Sequence, residues 1–342
     1  MKIVKIIKDI IIGRKAGLLF EKENKTFITQ NKNFNFYKNK KIFYFGKKNK
    51  DKIFFVIRRT PGAGLFSNLS FVLCNIKIAL DNKFIPVVDM ENFLTWYNEK
   101  KKIKNTYNAW NYYFKNLNKY KLDDVYNSQN VIFSDNKYPE NMPMSVSKSL
   151  QLVKIFNKFI RVNNNIYNRF EKFKKKTFNK KILGIHFRGS DLKSYRGHPF
   201  PATKSQIFNL IQKYIDDYDY IFLSTEEKKY LDFFKNKFKK KLIFFNSYRS
   251  YKNSYLYYPR KKHRYYLGRD ILIEAMLLSS CNMFIFTNNN VSEAVKLFSI
   301  FKNQKRLEVK NGRNSNNIII CRFLWYYKSF VPKFLGGFER FL

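Results

Sequence analysis

His186, Arg188 and Asp191 stand close together in the stretch Gly184-Ile-His-Phe-Arg-Gly-Ser-Asp191, and they have the clearest capacity for chemistry in the chain. A guanidinium presents a planar fork of donors that matches two phosphate oxygens at once, which a lysine ammonium does not. The same Arg and Asp would also form an ordinary strand-end salt bridge, and these residues alone weigh the two readings evenly. A few residues on, Gly197-His-Pro-Phe-Pro201 puts His198 in a loop. An imidazole there suits acid–base work or substrate contact, and a structural role equally well. Glu274 is a lone carboxylate among Leu272, Ile273, Met276 and Leu277. If buried it needs a partner, either the two neighbouring N–H donors of a guanine edge or a nearby Arg or Lys.

Two further polar clusters follow apolar runs and open helices. They are Ser224-Thr-Glu226-Glu227 and Thr287-Asn-Asn-Asn290-Val-Ser292. Unpaired N–H groups and the macrodipole at a helix N-terminus favour an anion. Asn288, Asn289 or Ser292 would also serve as an ordinary cap, which is the stronger reading for any one of them alone. Nearer the start, Gly62-Ala-Gly64-Leu-Phe-Ser-Asn68 opens a helix with two glycines that let backbone approach a phosphate or sugar. It lacks the third glycine of the dinucleotide fingerprint. Asp89, at the end of the next strand, is expected to face a cleft. Asp217-Tyr-Asp219 precedes a strand, at the wrong end of a sheet for a ligand, and reads as a solvated turn. His186, His198 and His263 lack metal-ligand spacing, so no metal is expected.

These residues must be positioned by alternating strands and helices. Strand Ile53–Ile57, helix Leu65–Asp81 and strand Phe84–Val88 form one βαβ unit. Helices Val146–Arg161 and Asn165–Thr177 connect it to a second series. There, strands Ile182–Phe187, Tyr220–Ser224, Lys241–Phe245 and Met283–Thr287 alternate with helices Lys204–Asp216, Glu226–Phe238, Arg269–Ser280 and Val291–Phe301. Residues 246–266 read as a loop, Asn317–Phe323 as a further strand and Trp325–Leu342 as a tail that packs back as a helix. Strict alternation gives a parallel doubly wound sheet, with ligands beyond the carboxyl ends of its strands. The expected fold is α/β, two Rossmann-like doubly wound domains facing across a cleft. A basic peripheral arm covers 1–52, one domain 53–160, the other 161–324 and a tail 325–342.

The 342 residues suffice for two cores, and 45% hydrophobic content excludes a disordered chain. The formal charge of +42, from 67 basic against 25 acidic residues, points to nucleic acid or an anionic membrane. However, the basic residues are spread over the whole length and no recognition-helix, RNP-like or zinc motif accompanies them. The reading is compositional drift with weak anionic-surface binding and no specific nucleic-acid partner. Cys74, Cys281 and Cys321 are too few and too scattered for a disulfide framework and read as core residues. The first nineteen residues hold no apolar run long enough for a signal or spanning helix, so the expected location is cytoplasmic, peripheral at most at the inner membrane face.

Taken together the motifs resemble the superfamily of α1,6-fucosyltransferases, nodulation fucosyltransferases and protein O-fucosyltransferases. Gly184-Ile-His-Phe-Arg-Gly-Ser-Asp191 is similar to its His-x-Arg-x-x-Asp signature, and Phe222-Leu-Ser-Thr-Glu-Glu227 to its strand ending in Ala-Thr-Asp-Asp. Gly268-Arg-Asp-Ile-Leu-Ile-Glu274, Phe286-Thr-Asn-Asn-Asn-Val-Ser292 and Pro61-Gly-Ala-Gly-Leu-Phe-Ser-Asn68 resemble its remaining blocks, in order, over roughly residues 53–300. The resemblance implies a GT-B fold and an inverting, metal-independent transferase that uses GDP-fucose as donor and needs no other cofactor. The acceptor would be a glycan or lipid-linked glycan. Arg188 would hold the β-phosphate and Asp191 would brace its loop, while His186, Glu226 and Glu274 would serve the donor. Asn288, Asn289, Asn290 and Ser292 would meet the pyrophosphate, and Gly62, Gly64 and Asn68 would lie near the sugar. The acceptor region, residues 90–145 with Asp89 at its edge, offers Trp96, Tyr97, Asn108 and Trp110 for stacking on sugar rings or for the core. The sequence departs from the pattern at Gly189 and Leu192, where many members carry Arg and Lys. It departs again at Arg196, which occupies the position of the α1,6-enzymes' proposed base.

Overall fold

The computed structural model describes residues 34–37, 40–139, 143, 145–189, 192–251, 259–299 and 302–341. The chain divides into two compact units. One is Met1–Ile166 with Tyr258–Arg269, and the other is Tyr167–Tyr257 with Asp270–Leu342.

The first unit holds strands β1 (Phe34–Tyr37), β2 (Lys40–Phe43), β3 (Lys48–Ile57), β4 (Ile85–Val88) and β5 (Ser128–Phe133), in the lateral order β1-β2-β5-β3-β4. β3 runs parallel to both β4 and β5, while β2 joins β5 antiparallel through Phe43 and Val131. Phe54 to Ile57 are all buried, as an apolar run covered on both faces must be. Helix α1 (Leu65–Asp81) returns from β3 to β4. Leu65, Leu69, Val72 and Ile76 recur at helical spacing and are buried with it. Two short helices follow, α2 (Ala109–Tyr113) and α3 (Leu122–Val125), and then α4 (Leu150–Phe159) packs on α1. The peripheral-arm reading of residues 40–52 gives way to two strands of this sheet. Residues 1–33 lie outside the described residues.

Helix α5 (Asn164–Thr177) leads to five parallel strands in the second unit: β6 (Ile182–His186), β7 (Tyr220–Ser224), β8 (Leu242–Ile243), β9 (Met283–Phe286) and β10 (Lys305–Glu308). Helices α6 (Lys204–Tyr214), α7 (Lys228–Phe238), α8 (His263–Leu278) and α9 (Asn290–Phe298) alternate with them. The lateral order is β10-β9-β6-β7-β8. The chain therefore starts in the middle, winds outward through β7 and β8, and then crosses back to β9 and β10. Its direction of winding reverses between β6 and β9, and in open α/β sheets the ligand crevice opens at such a point. Gly184 sits at the centre of β6 because a Cβ there would come within 2.7 Å of Cys281 Sγ.

The expected strand Asn317–Phe323 is instead the start of helix α10 (Ile320–Phe330). Its β-branched isoleucines suggest a strand, but Asn317 Oδ1 accepts the N–H groups of Ile319 and Ile320 and turns the chain into a helix. Cys321 and Trp325, four residues apart, then face inward and are buried. The 246–266 loop is shorter than expected, because α8 begins at His263. Cys74, Cys281 and Cys321 are free and buried, as their apolar neighbours suggest. Among the described residues no helix is long and apolar enough to cross a membrane.

Candidate functional site

At the winding reversal, His186 and Phe286 end adjacent strands and pair with each other in the ladder. His186 is buried, and its pKa is lowered to about 3, first by burial and then by the Arg188 guanidinium. The ring is therefore neutral at physiological pH. Asn289 Nδ2 lies 3.5 Å from its Nδ1 and bridges the two strand ends. An amide donor there makes Nδ1 the acceptor and leaves the proton on Nε2.

Phe187 fixes the next step of the chain. Its N–H donates to Ser224 O at 2.9 Å, and its ring stacks on Tyr230 with centroids 4.0 Å apart. Arg188 leaves this rigid base half-buried, its side chain 32% exposed, so it is neither turned into bulk solvent nor enclosed. Its Nε lies 3.7 Å from Glu226 Oε1, and the same oxygen accepts the Gly189 N–H at 3.2 Å. Glu226 thus stands beside the arginine at the mouth of β7. Glu227 pairs with Lys193 at 3.3 Å. A Cβ at Gly189 would meet Glu227 Oε1 at 2.5 Å and Tyr230 at 2.7 Å, so these two side chains close over the glycine. The second arginine that the resembled family often carries here would require the Glu227 and Tyr230 side chains to shift. Asp191 lies outside the described residues.

Beyond β9, Asn289 caps helix α9: its Oδ1 accepts from Val291 N and Ser292 N, and the buried Ser292 hydroxyl accepts from Asn289 N. The capping alternative is thus realised for Asn289 and Ser292. Asn288 is half-buried beside Ser292, and Asn290 is exposed as the first helical residue. This cap sets the positive end of α9 beside the His186 end of β6.

Glu274, on α8, is buried and fully engaged. Oε2 accepts from Ser224 Oγ at 2.6 Å, while Oε1 accepts from Ser247 Oγ at 2.7 Å and Arg249 Nη2 at 3.0 Å. Of the two partners allowed by its sequence setting, the structure supplies the cation, Arg249, which is itself buried. Burial raises the Glu274 pKa, and Arg249 and the two serine hydroxyls oppose that rise. Sequence reasoning missed Arg249. The only signal was the buried carboxylate's demand for a positive partner. His198 is exposed, its ring edge-on to Tyr195 at 4.9 Å, and its carbonyl accepts from Asn314 N.

In the first unit, Gly62 adopts φ +74°, and the buried Asn68 holds the turn by accepting the Ala63 N–H at 3.0 Å. Gly64 begins α1 with open space where a Cβ would be. Trp96 is half-buried and joins the turn by donating its N–H to Pro61 O. The expectation that Asp89 faces a cleft is corrected. It is completely buried, and its carboxylate accepts from Glu91 N, Asn92 N, Asn92 Nδ2 and Tyr126 Oη. Burial raises its pKa against the pull of these four donors, and the same hydrogen bonds make it the anchor of its loop. Tyr97, Asn108 and Trp110 are likewise core residues, 2%, 3% and 3% exposed, which decides their open choice between stacking platform and core in favour of the core. Asn108 ties its loop to the edge strand, donating Nδ2 to Val88 O and accepting from Met90 N. Asn68, Tyr97 and Trp110 meet around a small cavity of ≈ 10 Å³. Asn108 and Trp110 also border a larger cavity of ≈ 480 Å³ along β4, whose more open walls are Tyr107, Asn116 and Tyr120.

The second unit is thus a doubly wound parallel α/β sheet with a guanidinium and a capped helix end at its winding reversal. Among known proteins, the chain is similar to GDP-fucose protein O-fucosyltransferase 2 of Plasmodium berghei, 22% identical over 217 residues. The match takes in 62% of this chain and 41% of that relative, so the chain spans about two fifths of the curated relative's length. No family model matches. Among solved structures, it is similar to the fucosyltransferase NodZ from Bradyrhizobium, at 14% identity and TM-score 0.49, over 78% of this chain and all of that one. It is also similar to POFUT1 in complex with GDP-fucose, at 9% identity and TM-score 0.46, over 76% and 99% of the two chains.

Proposed function

We propose that this chain is a glycosyltransferase that takes fucose from GDP-fucose and passes it, with inversion and without a metal, to a glycan or lipid-linked glycan. The observation that carries the reading is Arg188, launched from a rigid strand end next to the Asn289-capped terminus of α9. The similarity to a GDP-fucose protein O-fucosyltransferase supports the choice of donor. In the reaction the bond from the sugar's anomeric carbon to the β-phosphate oxygen breaks, and its electron pair stays on the diphosphate. Arg188 and the helix end meet that growing charge, which lowers the barrier more than it tightens substrate binding. The neutral Asn289–His186 pair ties the adjacent ends of β6 and β9 together. An acceptor hydroxyl attacks the other face of the sugar and loses its proton. His198 is our assignment for taking it, since Arg196 stands where the resembled family places a carboxylate.

Calorimetric titration with GDP, GDP-fucose, UDP-sugars and ADP-sugars, with and without chelator, tests the reading. It requires saturable binding of GDP and GDP-fucose alone, unchanged by chelator. Equal affinity for all the nucleotides, or binding that vanishes with chelator, would refute it.

A further inference from the structure

The outer face of helix α10 is apolar although its inner face is already packed. Trp325 is buried with Phe200 and Phe338, and its Nε1 donates to Pro201 O at 2.9 Å. Asn314 Nδ2 ties down the Cys321 carbonyl. On the opposite side Ile320, Phe323, Tyr327 and Phe330 follow one another at intervals of three and four and are 50%, 66%, 53% and 78% exposed. Phe334, in the turn beyond the helix, is 85% exposed. Of the sixteen exposed large hydrophobic side chains among the described residues, nine lie within 318–335. Such side chains normally occur scattered, and a concentration of this kind marks an interaction surface.

Its surroundings indicate the partner. Arg322, Lys333 and Arg340 are exposed around the stripe, on a chain of net charge +42. Aromatic rings in a row with flanking Lys and Arg suit the boundary between lipid headgroups and acyl chains, where rings enter and cations meet phosphate. We infer that the outer face of α10 docks this protein on the surface of an anionic phospholipid bilayer. The helix packs on the turn Leu192–Ser194, where Lys193 lies 5.0 Å from the Trp325 ring and donates its N–H to Gly189 O. The inner side of the helix thus packs a few residues from the Arg188 loop, within the same unit, while the docked face points away from that contact. The inference stands apart from the transferase reading, because it concerns binding only.

Co-sedimentation with vesicles of phosphatidylcholine alone, and of equal parts phosphatidylcholine and phosphatidylglycerol, tests it. The full chain should partition onto the anionic vesicles at least about tenfold more strongly than onto the neutral ones. A Phe323→Ser, Phe330→Ser, Phe334→Ser triple variant should lose about tenfold or more of that partition, with its melting temperature unchanged because these side chains are exposed. Failure of the full chain to bind anionic vesicles would overturn the inference. So would undiminished binding by the triple variant, which would leave charge alone responsible, or a concentration-dependent dimer abolished by the triple substitution without lipid binding.

Discussion

At the scale of single residues, the chain's chemistry was legible where type and spacing constrain each other, and obscure where a partner arrives from a distant loop. His186-Phe-Arg188 stands out because an apolar strand ends in Arg; the residues alone weigh a phosphate contact evenly against an ion pair, and the structure sets the guanidinium 3.7 Å from Glu226. Arg249 does not, since nothing around it in sequence tells that it neutralises Glu274. Asp89 misleads in the opposite way. A carboxylate at a strand's carboxyl end looks like a ligand contact, yet three donors from Glu91 and Asn92 and a fourth from Tyr126, 37 residues on, enclose it. The histidine carries a pH prediction. With its pKa at about 3 in the fold against about 6.5 when unfolded, His186 binds its proton only in the unfolded chain across that window. Its contribution to stability is complete above about pH 6.5 and is lost on acidification, by about 1.4 kcal/mol per pH unit. Denaturant unfolding from about pH 6.5 to 5 should show a shallower loss for His186→Asn than for the parent chain. Parallel curves would show that this ring's burial does not govern acid stability.

At the scale of elements, the alternation of strand and helix was readable because buried parallel strands are short, continuous apolar runs. Helix α1 and strand β7 have the bounds their sequences predict. The failures are physical. β10 reads Lys-Arg-Leu-Glu, a charged edge strand with no apolar run to find. α10 hides behind β-branched residues, and only the Asn317 cap and the Cys321–Trp325 spacing reveal it. The cap on α9 is the element most closely tied to the site, because Asn289 both starts the helix and reaches His186. Asn289→Ala should cost about 1 kcal/mol of stability, and it should weaken GDP binding by more than that loss explains. Thermal melting and GDP titration of this variant separate the two effects. A stability loss with GDP affinity intact would confine Asn289 to capping.

At the scale of the whole molecule, two α/β sheets of five strands each account for all ten described strands, and the β3–α1–β4 unit and the alternation from β6 to β9 follow from the pattern of the sequence. The net charge of +42 says little about fold, and it acts through the surface. The second unit carries both the winding reversal and the exposed aromatic helix, so the proposed donor site and the proposed docking face would reside on one body. The central claim is that the Arg188 fork stabilises charge on the departing diphosphate. The direct measurement is kcat/KM for transfer from GDP-fucose by the parent chain, Arg188→Ala and Arg188→Lys. The account predicts a fall of about 100-fold or more for Ala, carried mainly in kcat, with Lys restoring little of it. Turnover by Arg188→Ala equal to that of the parent chain would contradict it.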